Sequence, residues 1–228
     1  SWTGCKSEYY LLKLLKTQQT DLTAHAGYAK ELNRANPFHG NAMYALGVYH
    51  LAKGEIAEGE KWMNAFLEKR PYHAAAFWHL GQAYFKQKQY EPVVSYYERL
   101  VEIVPDNAAG LNQIGLCYYY QKEFDRADRY LKQAIVLDSK NGRYYYNQGL
   151  VYVQQKQYLK AAEAFEQTLA LEPDNPDPHI DLPIMYSQQR ATRKKAILHM
   201  TTYIRKKPGS SWARIFQKKL KKLQPQNN

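Results

Sequence analysis

Apolar residues return every three or four positions along most of this chain. Phe77, Leu80 and Tyr84 form one such run, and Tyr97, Leu100 and Val101 another. That spacing sets one face of an α-helix in a core and the other in water. Between the runs stand short polar stretches: Lys53-Gly54-Glu55, Gln87-Lys88-Gln89, Gln121-Lys122-Glu123 and Gln155-Lys156-Gln157. Each predicts a turn joining two helices, so the pattern predicts an all-α chain of helix pairs.

The pairs recur. Gly47, Gly81, Gly115 and Gly149 stand 34 residues apart, and Pro37, Pro71, Pro105, Ser139 and Pro173 keep the same step. Two residue types in one phase predict an array of a single two-helix unit. Glycine lets the paired helices approach closely. Proline just past the second helix stops further winding. Aligned on the glycines, the units are 40–73, 74–107, 108–141 and 142–175. Met43, Phe77, Leu111 and Tyr145 stand four before the glycine, and His50, Tyr84, Tyr118 and Tyr152 three after it. Ala127 and Ala161 open the second helix where Gly59 and Val93 stand in other units. Residues 6–39 read as a divergent first unit with Lys13 at the glycine position. Residues 176–209 read as a divergent last unit with Pro183 there. Its first helix is expected to start at Asp177-Pro178, and Pro183 to kink it.

Leu46-Gly47 and Leu80-Gly81, with Ile114-Gly115 close behind, carry a resemblance. The units resemble the tetratricopeptide repeat, whose signature is W-x2-L-G-x2-Y followed by A, F, A and P. Gln148-Gly149 departs from it and sets a polar group at a normally packed site. The resemblance implies a right-handed α-solenoid, one continuous domain, closed by a capping helix at 211–224. It also implies a non-enzymatic scaffold or adaptor whose concave face holds a peptide or helix of a partner protein. In that family the groove is lined chiefly by the second, fifth, ninth and twelfth positions of each unit's first helix. The last three read here as Tyr44, Val48 and Leu51; Trp78, Gln82 and Phe85; Asn112, Leu116 and Tyr119; Tyr146, Leu150 and Val153. The second reads Asn41, Ala75, Ala109 and Arg143. This set holds one charge, Arg143, and no carboxylate. Trp78 and Tyr146 are the expected anchors, with Gln82, Asn112 and Asn147 available to a bound backbone. The same aromatics also serve packing alone in such repeats. One family subtype clamps acidic tails with lysine, asparagine and arginine. Here Leu14, Tyr44, Val48 and Trp78 occupy places that clamp needs polar or cationic.

Charge adds a second candidate surface. The chain carries 32 basic and 21 acidic residues, a net charge of +11. Residues 182–228 hold twelve of the basic residues and no acidic one, so the preceding part nets −1. At the C-terminus Trp212, Ile215, Phe216, Leu220 and Leu223 share one helical side, and Arg214, Lys218, Lys221 and Lys222 the other. This reads as a closing helix. With Arg193, Lys194 and Lys195 it is also the expected seat of an acidic protein or anionic membrane. Aromatics do not interleave with these charges as single-strand recognition favours, which argues against nucleic acid.

Catalytic chemistry is not expected. The chain has no Gly-rich phosphate loop and no recognisable nucleophile motif. His25, His39, His50, His73, His79, His179 and His199 are scattered, and none pairs with another or with cysteine at metal-ligand spacing. No enzyme activity, cofactor or metal is anticipated. Cys117 falls mid-helix as a small apolar residue. No apolar run approaches the ~18 residues that cross a bilayer, so a soluble, cytoplasmic chain is the expectation. The alternative hangs on Cys5. Thr3-Gly4-Cys5 resembles the end of a bacterial lipoprotein signal, which would make the chain a lipid-anchored envelope assembly factor in the periplasm.

Overall fold

The polar stretches between apolar runs turn as predicted, and they share a conformation the sequence does not advertise. Gly54 has φ +80°, and Lys88, Lys122 and Lys156 have φ of 60°, 64° and 60°. One left-handed residue in each of the four units from 40 to 175 reverses the chain. Only the first is a glycine. Each lysine carries a strain of roughly 1 kcal/mol for its Cβ in that region.

The computed structural model describes residues 2–16, 21–37, 39–186 and 192–223, with side chains from residue 6 onward. The Cys5 side chain and Arg190 lie outside the described residues. Thirteen α-helices appear among those described, and no strand. They are α1 (Trp2–Lys16), α2 (Leu22–Ala35), α3 (Gly40–Ala52), α4 (Ile56–Lys69), α5 (Ala74–Lys86), α6 (Tyr90–Ile103), α7 (Ala108–Tyr120), α8 (Phe124–Leu137), α9 (Gly142–Gln154), α10 (Tyr158–Leu171), α11 (Pro178–Tyr186), α12 (Arg193–Lys206) and α13 (Ser211–Leu223). The chain divides into two compact units, residues 1–117 and 118–228.

In the first unit α1 packs with α2, α3 with α4, and α5 with α6. The periodic glycines make these pairings close. A Cβ on Gly47 would stand 2.8 Å from Met63 Cγ, and one on Gly81 would stand 2.7 Å from Tyr97 Cε2. Each glycine lies under the side chain sixteen residues later, on the second helix of its own pair. Met43, Leu46, Met63, Phe66, Leu80 and Tyr97 are buried around them. Glu60 of α4 accepts from Tyr84 of α5 at 2.7 Å and from Tyr96 of α6, which ties one pair to the next.

The second unit repeats the device. A Cβ on Gly149 of α9 would stand 2.5 Å from Phe165 Cε1 of α10. The polar residue beside it, Gln148, is buried, and its amide donates to Asp128 Oδ1 of α8 at 2.9 Å. That bond offsets the desolvation of the departing side chain. Pro178 is the first residue of α11, where its missing N–H costs nothing, and the helix runs on through a buried Pro183. The core gathers Phe165, Leu182, Met200, Tyr203 and Phe216.

The last helix corrects one expectation. Its docked stripe is Ala213, Phe216, Leu220 and Leu223, with Tyr203 of α12 edge-on to Phe216 at 5.6 Å. Trp212 and Ile215 stand at the edge of that face, the Trp212 ring still reaching Phe216 at 5.7 Å. They are 37% and 49% exposed, because steps of three and four from Ala213 leave them on the neighbouring stripe.

Candidate partner-binding site

Helices α2, α3 and α5 of the first unit enclose a cavity of about 230 Å³. Leu22 and His25 line it from α2, Tyr44, Val48 and Leu51 from α3, and His79, Gln82 and Lys86 from α5. The helical period sets these residues on one side of each helix. Tyr44 is held by rings: Phe66 at 5.2 Å, His73 at 5.1 Å and His79 at 5.9 Å between centroids. Burial raises the Tyr44 phenol above its ordinary value. Burial, with His73 beside it, holds His79 below the usual imidazole range, so it is neutral at pH 7. Among the described residues Lys86 is the one lysine on the wall, and no carboxylate lines it. Such a cavity accepts an apolar or aromatic side chain.

Of the groove residues expected from sequence, Tyr44, Val48, Leu51 and Gln82 line this cavity. Trp78 lies on α5 but outside it, half-buried, its ring edge-on to Tyr97 at 5.3 Å. Phe85 is half-buried and 5.9 Å from Tyr90. Asn112 is buried, with its amide 3.4 Å from Gln113 Oε1, and Leu116 is half-buried.

The second unit brings together a different set. Arg143 is exposed, Leu150 half-buried and Asn147 buried. The Tyr146 hydroxyl donates to Asp181 Oδ2 at 3.3 Å, and its ring lies 5.4 Å from Phe165. Burial pushes the Asp181 carboxyl up to about 6, with Asp177 adding to the shift and Tyr146 opposing it. Burial also raises the Tyr119 phenol, against a hydrogen bond with Gln154. Tyr119, Tyr146, Gln154 and Asp181 thus form a polar aromatic group. Asp181 was missed from sequence because Pro183 breaks the register of its unit. The available signal was its place in the first turn of α11, four residues past Asp177.

Two of the histidines scattered along the sequence meet in space. His179 and His199 are distant in sequence, yet their Nδ1 atoms lie 2.9 Å apart, both buried between α11 and α12. Burial pushes His179 down to about 4, with His199 and Lys206 adding to it. Tyr186 stacks on His199 at 5.8 Å. One imidazole donates and the other accepts, so the pair is held neutral. No group of three or more metal-ligating residues occurs among the described residues.

On the basic surface, Arg193 donates to the Leu223 carbonyl at 2.8 Å and Lys195 to Glu166 Oε1 at 3.1 Å. Both cations are therefore engaged within the fold. Lys194, Arg214, Lys218, Lys221 and Lys222 are exposed.

Stacked helix pairs with a cavity between them define the class: a helical-repeat scaffold for protein interaction. A tetratricopeptide repeat family model matches residues 23–74 and 112–176, and a second matches 75–107, so the chain belongs to the tetratricopeptide repeat family. Solved structures agree on an all-α solenoid of such repeats. PilF of Pseudomonas aeruginosa is 16% identical with a TM-score of 0.71, covering 96% of this chain and 100% of its own. A MamA crystal structure is 20% identical with a TM-score of 0.67, covering 74% of this chain and 92% of its own. MamA 41-end from Desulfovibrio magneticus RS-1 is 18% identical, TM-score 0.67, covering 75% and 97%. No curated protein matches the sequence.

Proposed function

We propose that the chain is an adaptor that holds a peptide or helical segment of a partner protein on the first-helix face of its repeats. The observation that supports it most is the α2–α3–α5 cavity, lined by Tyr44, Val48, His79 and Gln82 without a carboxylate. It has room for one large side chain, with Gln82 at hand for a bound backbone. A peptide selected against the full chain should bind with micromolar affinity and little dependence on salt. Gln82 is exposed, so Gln82→Trp fills the cavity without disturbing the core. It should weaken binding at least about ten-fold by calorimetry. Unchanged affinity in that folded variant overturns the reading.

A second reading is supported by the exposed cations Lys194, Arg214, Lys218, Lys221 and Lys222 in a stretch with no acidic residue. That surface would hold an anionic partner, with binding that weakens steeply as salt rises. The lipid-anchored envelope reading depends on Cys5, and the mass of the native protein decides it: an acyl addition supports it, an unmodified cysteine removes it.

A further inference from the structure

We propose that α13 lies against an anionic lipid bilayer, with Trp212 and Ile215 at the acyl boundary and its lysines on the headgroups. The inference rests on the anionic-surface reading and names the partner. Three stripes run along α13. Ala213, Phe216, Leu220 and Leu223 are spent on the core. Arg214, Lys218 and Lys221 form a cationic stripe. The stripe between them, at steps of three and four, is Trp212, Ile215, Lys219 and Lys222, and its two apolar members are 37% and 49% exposed.

Scattered exposed apolar residues are ordinary. This pair is not scattered. It occupies the first two turns of α13, flanked by five basic residues of the same helix. The acids that reach the neighbouring helix are already engaged, Glu166 by Lys195 and Asp174 by Lys206. A bilayer interface suits both halves of the mixed stripe at once. It takes an indole and a branched aliphatic chain at the headgroup boundary, while lysine stems run along the apolar surface to reach phosphate. Each lysine adds attraction to an anionic leaflet. Trp212 already packs on Phe216 at 5.7 Å, and an acidic protein segment or a nucleic acid satisfies the cations but leaves the exposed parts of Trp212 and Ile215 uncovered.

The test is co-sedimentation of the full chain with vesicles of phosphatidylcholine containing one third phosphatidylglycerol, beside pure phosphatidylcholine vesicles, an acidic peptide and a DNA duplex. The expected result is binding to the anionic vesicles alone. The exposed double variant Trp212→Ser/Ile215→Ser should lower the partition roughly ten-fold. Lys218→Glu/Lys222→Glu should lower it at least as much. Brominated acyl chains should quench part of the tryptophan emission, and Trp212→Phe should remove that part. Circular dichroism and melting confirm that each variant is folded. Anionic-vesicle binding that is salt-sensitive but indifferent to Trp212→Ser/Ile215→Ser, with no quenching, overturns the insertion and keeps the cationic surface. Binding to the acidic peptide or DNA but not to vesicles overturns the lipid assignment. Binding to none of these probes removes the anionic-surface reading as well.

Discussion

Tyr44 and Tyr146 occupy the same position in their repeats, and their surroundings differ. Tyr44 sits among Phe66, His73 and His79, at the wall of a cavity lined without a carboxylate. Tyr146 meets a half-buried carboxylate, donating to Asp181 at 3.3 Å. The repeat fixes where each ring is presented. The following pair, α5 in one case and α11 in the other, supplies the polar or charged group that the ring meets. One periodic pattern thereby yields one face without a carboxylate and one that holds a titrating acid.

The sharpest way to break this comparison is through the close-approach glycines, which are equivalent in the two units. An alanine at 149 would press its Cβ to 2.5 Å from a rigid Phe165 ring, and one at 47 would meet the flexible Met63 at 2.8 Å. Gly149→Ala should destabilise by about 3 kcal/mol. At Gly47→Ala the methionine gives way, and better helix propensity offsets part of the strain, so the loss should be about 1 kcal/mol or less. Thermal or urea unfolding checks both, and equal losses would mean the pairs do not differ in rigidity.

The titrating face comes next. Asp181 is held at about 6, so the folded chain binds its proton more readily than the unfolded chain does near the ordinary aspartate value of about 3.9. Ionising it therefore costs stability progressively as pH rises from about 4 to about 6, and the full cost stands above that. Asp181→Asn keeps an acceptor for Tyr146 and should be more stable than wild type at pH 7, by about 1–2 kcal/mol. The advantage should vanish as pH falls to about 4. His179 has the opposite sign: held at about 4, it is neutral when folded while the unfolded chain takes a proton near 6.5. Its contribution is present above about 6.5 and lost between there and pH 4. The two slopes oppose each other in wild type, so the Asp181→Asn variant should lose stability in acid more steeply. Tyr44→Phe in the first unit should leave the pH profile unaltered. Melting temperatures from pH 4 to 8 settle each sign.

The smallest effects belong to the turns. Gly54→Ala should lose roughly 1 kcal/mol, because φ +80° strains a Cβ. Lys122→Gly and Lys156→Gly should each change stability by no more than about 1 kcal/mol, in the stabilising direction where relief of strain exceeds the added chain entropy. A loss at both lysines would contradict the strained-turn description.

Periodicity made much of this fold legible. Gly47, Gly81 and Gly149 announced the close crossings, and the polar triplets announced the turns. Three features were hidden for distinct reasons. The left-handed turns sit on lysines, residues with no preference for that conformation, so only Gly54 hinted at them. The His179–His199 contact joins residues on two helices whose mutual register the sequence does not give. Trp212 and Ile215 looked core-facing because a helical side drawn from sequence is wider than the strip that docks. Gln148 is the reverse case: its polarity was visible, and its partner Asp128 was not.

The central claim concerns the α2–α3–α5 face. Its most direct test is a map of amide and side-chain NMR shifts on adding a peptide selected against the full chain. The account predicts the largest changes at His25, Tyr44, Val48, His79 and Gln82, abolished in Gln82→Trp. Changes confined to the second helices α4 and α6, or unaltered by Gln82→Trp, would contradict it.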